Sequence, residues 1–123
     1  MNLFRRIFVS KKGVNINKAT LHKLVIEALR AERVRASVHV VLRMGERNLL
    51  IESIIESALR ASIVEVEIDI YYKGYYDPTL TITGTTKNGA KLVSAWAYNK
   101  ESKLATLITA NSYKSWFSNR IRR

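Results

Sequence analysis

The chain has 123 residues, 47% of them hydrophobic, which is enough for one domain with its own buried core. Its 21 lysines and arginines outnumber ten acids and give a net charge of +11, while the lack of cysteine excludes disulfides, thiolate metal sites and cysteine catalysis. No apolar run approaches the roughly 18 residues of a membrane span, and the first residues lack the pattern of a secretion signal, so we expect a cytoplasmic protein.

The basic residues are concentrated towards the two ends of the chain. Residues 1–26 carry six cations and no acid, and residues 78–123 carry eight cations and one acid, whereas residues 27–77 carry seven cations and nine acids. If the fold brings the two ends together, this segregation produces one basic surface.

The first half of the chain predicts two helices with a short strand between them. Residues 17–32 place an apolar side chain at every third or fourth position behind Asn17, a typical N-cap residue. Residues 37–43 are rich in β-branched side chains and predict a strand, after which Gly45 is expected to break the chain. Residues 46–61 have the clearest helical periodicity in the sequence.

The second half alternates apolar and polar residues, which predicts a series of antiparallel strands at 63–73, 79–86, 90–99 and 103–110. Asn88-Gly89 predicts a two-residue type I′ hairpin turn between the second and third of these strands. The leucines of 103–110 also fit a helix that continues towards the terminus, and residues 112–122 predict a short closing helix.

These elements predict an α+β fold in which N-terminal helices pack on one face of a three- to four-stranded antiparallel sheet, followed by a short C-terminal helix. We expect one domain over residues 1–123. Its basic terminal segments, 1–15 and 112–123, are either ordered or mobile.

The C-terminal stretch YKSWFSNRIRR mixes aromatic rings with cations and contains no acid. In one interpretation, Trp116 and Phe117 dock a closing helix on the sheet, and the final arginines lie near the helix C-terminus, where cations suit its dipole. In the other, the cations contact phosphates and exposed rings stack on the bases of a single-stranded nucleic acid.

Our leading hypothesis is a small, non-enzymatic nucleic-acid-binding accessory protein that contacts phosphates through its basic terminal segments, with single-stranded RNA or DNA favoured over duplex. The residues assigned to this contact are Arg5, Arg6, Lys11, Lys12, Lys18, Lys114, Trp116, Arg120, Arg122 and Arg123. An alternative is a protein-interaction module, an inhibitor or assembly subunit, whose basic face meets an acidic protein or which pairs with a second copy of the chain.

Other polar groups offer weaker candidates. Glu65, Glu67 and Asp69 alternate along one predicted strand and could hold a divalent cation, but the favoured interpretation is a solvated strand face paired with Thr or Lys on the neighbouring strand. His22 and His39 would suit acid–base chemistry in a small metal-independent RNase, which is the third hypothesis. No nucleotide-binding or hydrolase motif is present, and we assign no catalytic residue, metal or cofactor.

Overall fold

The computed structural model of the protein describes residues 16–68 and 77–116. This part of the chain contains three α-helices and five β-strands in the order α1 (Lys18–Arg30), β1 (Val34–Ala36), α2 (Val38–Glu46), α3 (Ile51–Arg60), β2 (Val66–Ile68), β3 (Thr79–Thr85), β4 (Lys91–Asn99) and β5 (Leu104–Ser112). A 3-10 helix at Ile63–Glu65 precedes β2, and a helical turn at 113–116 follows β5. The expected α+β class is confirmed. No helix in these residues has the length and apolar character needed to cross a membrane.

Helix α1 forms where the sequence predicts it. The side chain of Asn17 caps it by accepting a hydrogen bond from the backbone N–H of Thr20 at 2.8 Å. The helix ends at a tight reversal in which Glu32 adopts a φ of 60° and the N–H of Arg33 donates to the carbonyl oxygen of Ala28 at 2.8 Å. This reversal leads directly into β1.

The strand predicted at 37–43 is wrong, because these residues begin helix α2. The hydroxyl oxygen of Ser37 accepts a hydrogen bond from the N–H of Val40 at 3.1 Å and so caps the first turn. Val40 and Met44, one helical turn apart, are both buried, so burial of a helical face overrides the β-propensity of the valines.

The predicted helix at 46–61 is confirmed only over α3, which begins at Ile51. Gly45 does not break the chain, since it lies within α2. The break comes at Asn48, whose φ of 56° ends the preceding helix in a left-handed conformation that asparagine tolerates.

The sheet has five strands in the order β1-β5-β4-β3-β2. It is mixed rather than antiparallel, because β1 pairs in parallel with β5 while the other neighbouring pairs are antiparallel. The strand predicted at 63–73 is confined to β2 within the described residues, and residues 69–73 of that prediction lie outside them. The strands predicted at 79–86, 90–99 and 103–110 are confirmed as β3, β4 and β5.

The hairpin expected between β3 and β4 is present, but its turn is not type I′. A type I′ turn requires positive φ at Asn88 as well as at Gly89, and only Gly89 has it, at 91°. The loop instead contains three residues, 87–89, closed by a hydrogen bond from the N–H of Thr86 to the carbonyl oxygen of Ala90 at 2.9 Å. A left-handed glycine at the end of a three-residue loop is the next commonest hairpin solution.

One hydrophobic core joins the helices to the sheet. Leu21, Val25 and Ile54 from α1 and α3 share it with alternate residues of the strands, among them Ile82 and Trp96. The same alternation places the threonines of β3 and the alanines of β4 on the opposite face, where Ala95 and Ala97 form a smaller buried cluster with Ile108.

Candidate nucleic-acid interface

Seven of the ten residues predicted to bind nucleic acid lie outside the described residues: Arg5, Arg6, Lys11, Lys12, Arg120, Arg122 and Arg123. The other three are described. Lys18 is the first residue of α1 and is half-buried. Lys114 and Trp116 lie in the helical turn after β5, where Lys114 is exposed and Trp116 is half-buried.

Lys91, Tyr113 and Trp116 form a stack at the end of the sheet where β4 begins and β5 ends. The register pairs Leu92 with Ser112, so Lys91 lies beside Tyr113. The ammonium nitrogen of Lys91 is 4.1 Å from the centroid of the Tyr113 ring, within the range of a cation–π interaction. The Tyr113 and Trp116 rings have centroids 6.0 Å apart and planes inclined by 35°.

Local structure positions the two rings. The hydroxyl oxygen of Ser112 accepts a hydrogen bond from the N–H of Ser115 at 3.2 Å, which starts a helical turn directly after the strand. In that turn, Tyr113 and Trp116 are three residues apart and therefore fall on the same side. Lys114 lies between them in sequence and remains exposed.

The two tryptophans differ in burial, because Trp96 lies in the hydrophobic core of the described residues and Trp116 does not. Trp96 is completely buried, and its indole N–H donates to the hydroxyl oxygen of Ser94 at 2.8 Å. Tyr113 and Trp116 are half-buried, and neither belongs to the apolar clusters that the described residues form. Both residues are therefore partly exposed to solvent, unlike Trp96.

Two further cations lie at the same end of the sheet, around the β3–β4 hairpin. The Nε–H of Arg60 donates to the carbonyl oxygen of Thr85 at 2.9 Å, and Thr85 pairs with Lys91 across the hairpin. Lys87 is exposed in the loop, and its backbone N–H donates to a carboxylate oxygen of Glu56 at 2.6 Å. We call the set Arg60, Lys87, Lys91, Tyr113, Lys114 and Trp116 the basic end of the sheet.

The sequence predicted two members of the basic end, Lys114 and Trp116, and missed the others. Lys91 and Tyr113 are 22 positions apart, and only the register of β4 with β5 brings them together. The polar turn at 99–102 was the signal in the sequence that could have found this pair. If the turn joins two antiparallel strands, the start of β4 must lie next to the end of β5.

Within the described residues, the two histidines lie on different helices. His39 is exposed on α2 rather than in a strand, and His22 is half-buried on α1. Burial, together with the nearby charge of Lys18, holds the pKa of His22 below its usual value. Glu65 lies in the 3-10 helix and Glu67 in β2.

The metal site considered for Glu65, Glu67 and Asp69 is not tested as a whole, because Asp69 is outside the described residues. Among residues 16–68 and 77–116, no group of three histidines or acids lies close enough together to hold a metal ion.

Comparison with known proteins adds no family to this geometry. No family model matches the chain, and no curated protein or solved structure matches it either.

Proposed function

We propose that the protein is a small nucleic-acid-binding accessory protein whose principal contact is the basic end of the sheet. The observation that carries the proposal is the stack of Lys91, Tyr113 and Trp116 beside exposed Lys114, in a chain with a net charge of +11. Lysines reach phosphates, and half-exposed rings offer stacking surfaces to bases.

Most of the affinity in this proposal is electrostatic. The terminal cations Arg5, Arg6, Lys11, Lys12, Arg120, Arg122 and Arg123, together with Lys18, add to the positive potential of the chain. Their contacts with phosphates carry no sequence information, so the protein binds with little base specificity. If six to eight phosphates are neutralised, the logarithm of the affinity falls against the logarithm of salt concentration with a slope of about −4 to −7.

The two rings favour single strands over duplexes as ligands. Bases in a duplex already stack on one another, whereas unpaired bases present a free face, and each base–aromatic stack is worth about 1–3 kcal/mol. Tyr113 and Trp116 diverge by 35°, so one base stacked on each ring would require a bend in the strand between them.

The test is a titration of labelled single-stranded RNA, single-stranded DNA and duplex DNA, followed by anisotropy over a salt series that brackets physiological strength. We expect binding that persists at physiological salt and prefers a single strand. The intrinsic fluorescence offers a second readout, because Trp116 is the half-exposed member of the chain's two tryptophans and Trp96 is buried. A base stacked on Trp116 should quench its emission, and Trp96→Phe should leave this quenching in place.

Equal weak binding to all three ligands, lost by physiological salt, would contradict the proposal. So would tight binding without any change in tryptophan emission, because the rings would then take no part in the contact.

A further inference from the structure

Asn111 is a polar residue near the end of β5 that lies beside the ring stack. The register pairs it with Val93, two residues after Lys91 on β4, so Asn111 and Lys91 lie on the same face of the sheet. The amine of Lys91 lies over the ring of Tyr113, which follows Asn111 by two positions. Two positions of strand rise span about 7 Å, which puts the Asn111 side chain within reach of a base stacked on Tyr113.

One hydrogen bond fixes the orientation of the Asn111 side-chain amide. Its Oδ1 accepts from the backbone N–H of Ser112 at 3.1 Å. A backbone N–H donates to the oxygen of an amide and not to its NH2 group, so this contact identifies which end of the side chain is the oxygen. The oxygen faces the backbone of the strand, and the NH2 group is the end turned away from it.

Solvent reaches the NH2 group of Asn111. The residue is half-buried, and its Nδ2 donates to no atom of the described residues. In residues 16–68 and 77–116, the buried side-chain nitrogen or oxygen that lacks a partner is the Nε2 of His22, so the unpaired Nδ2 of Asn111 is not a buried atom. Two N–H donors are therefore presented next to Tyr113.

A group that only donates distinguishes the bases by one substituent. The keto oxygens of guanine, thymine and uracil accept hydrogen bonds, whereas the exocyclic amino groups of adenine and cytosine donate them. Opposite an amino group, the NH2 of Asn111 would meet a second donor, and both groups would lose hydrogen bonds to water without a replacement.

We propose that Asn111 reads the base stacked on Tyr113 and favours a keto base, which is guanine, thymine or uracil, over an amino base. This inference rests on the proposed function and deepens it. It adds one discriminating contact to phosphate contacts that carry no sequence information, so the resulting base preference is modest.

The probe is a pair of fluorescent single strands of equal length, oligo(dU) and oligo(dC), titrated against the full chain at physiological salt. The two strands have the same charge and the same ring size, and in a homopolymer every register places the same base on Tyr113. We expect oligo(dU) to bind about fivefold tighter than oligo(dC), because uracil offers a keto oxygen where cytosine has an amino group.

Substitutions at Asn111 separate base reading from phosphate binding. Asn111→Ala should bind the two strands equally and keep the salt dependence of the wild type, since no charge changes. Asn111→Asp keeps an oxygen for the N–H of Ser112 but replaces NH2 by an acceptor, so it should favour oligo(dC). Asn88→Asp is the matched control for the added negative charge, because Asn88 is exposed in the nearby β3–β4 loop, and it should keep the preference for oligo(dU).

Three results would overturn the inference. If the wild type binds both strands equally or prefers oligo(dC), Asn111 does not read a keto base, although the phosphate contacts of the proposed function stand. If the preference for oligo(dU) persists in Asn111→Ala or Asn111→Asp, another group is responsible for it. If neither strand binds at physiological salt, the proposed function fails together with the inference.

Discussion

The substitution Gly84→Ala tests how closely α3 packs against the sheet. Gly84 lies in β3 on the face that meets α3, and a Cβ atom built on it would be 1.9 Å from the carbonyl oxygen of Ser57 and 2.7 Å from its carbonyl carbon. Both obstacles are backbone atoms of a helix whose Ile54 and Ala58 are fully buried, so a rotamer change cannot relieve the clash. Gly84→Ala should therefore destabilise the protein.

The expected loss of unfolding free energy follows from the short distance between the added Cβ atom and the Ser57 carbonyl group. Real Cβ atoms essentially never approach closer than 3.0 Å, so α3 and β3 would have to separate by about 1 Å. Overpacking of a core by this kind of backbone shift costs about 1–3 kcal/mol, and we expect the upper end because the obstacle is rigid. With a urea m-value of about 2 kcal/mol/M, a loss of about 3 kcal/mol lowers the unfolding midpoint by about 1.5 M.

The assay is urea unfolding followed by far-UV circular dichroism, with Gly45→Ala as the matched control. The same methyl group added at Gly45 meets nothing within 4 Å, and alanine is the better helix former by about 1 kcal/mol, so that midpoint should stay the same or rise. If Gly84→Ala unfolds at the wild-type midpoint, α3 does not pack against the backbone of β3 and the account of the core is wrong.

Three further substitutions test other parts of the fold. Asn17→Ala should cost about 1 kcal/mol in urea unfolding by removing the cap of α1, whereas Asn17→Asp should retain most of the stability. Ile54→Ala should cost about 2–5 kcal/mol because it empties a fully buried site, and a smaller loss would contradict that burial. Because the pKa of His22 is lowered in the fold, the unfolded chain binds the proton first, so stability should fall as pH drops below about 6.5. His22→Leu should weaken this dependence of stability on pH. The substitution also removes the buried Nε2, which finds no hydrogen-bond partner among the described residues. If the pH dependence of stability is the same in His22→Leu as in the wild type, it comes from other groups.

Helices with a strong apolar stripe and a cap could be predicted from the sequence, as α1 shows. Asn17 and the stripe behind it act within a few residues of one another, so the signal is local. The wrong prediction of a strand at 37–43, where α2 forms, also has a local cause. The valines of α2 favour a strand, so the composition of residues 37–43 led to the wrong prediction. The Ser37 cap and the burial of Val40 together with Met44 are the features that stabilise a helix there.

The antiparallel strands β3, β4 and β5 could be predicted because each alternates in polarity and connects to the next through a short turn. The parallel strand β1 could not. It contains only three residues, which is too short for a periodic pattern. Its partner β5 lies about 70 positions further along the chain, so no turn predicts the pairing either.

The same distinction between local and long-range signals applies to the residues of the candidate site. Lys114 and Trp116 stood out because the C-terminal stretch is visibly basic and aromatic. Their neighbours Lys91 and Arg60 are unremarkable in sequence, and only the strand register and the hydrogen bond from Arg60 to Thr85 place them at the same end of the sheet.

The most direct test of the proposed function compares two variants of equal charge. K91Q/K114Q removes two lysines from the basic end, whereas K100Q/K103Q removes two from the exposed β4–β5 turn at the opposite end of the sheet. Both have the same net charge, so any difference between them reflects the location of the lysines rather than the total charge.

The measurement is the salt dependence of binding to a single-stranded oligonucleotide. If both lysines of the basic end contact phosphates, K91Q/K114Q should make the slope of log affinity against log salt shallower by about 1.4, whereas K100Q/K103Q should leave the slope near wild type. Equal changes of slope in the two variants would show that the charge acts only as a diffuse field, and the basic end of the sheet would then not be the binding site.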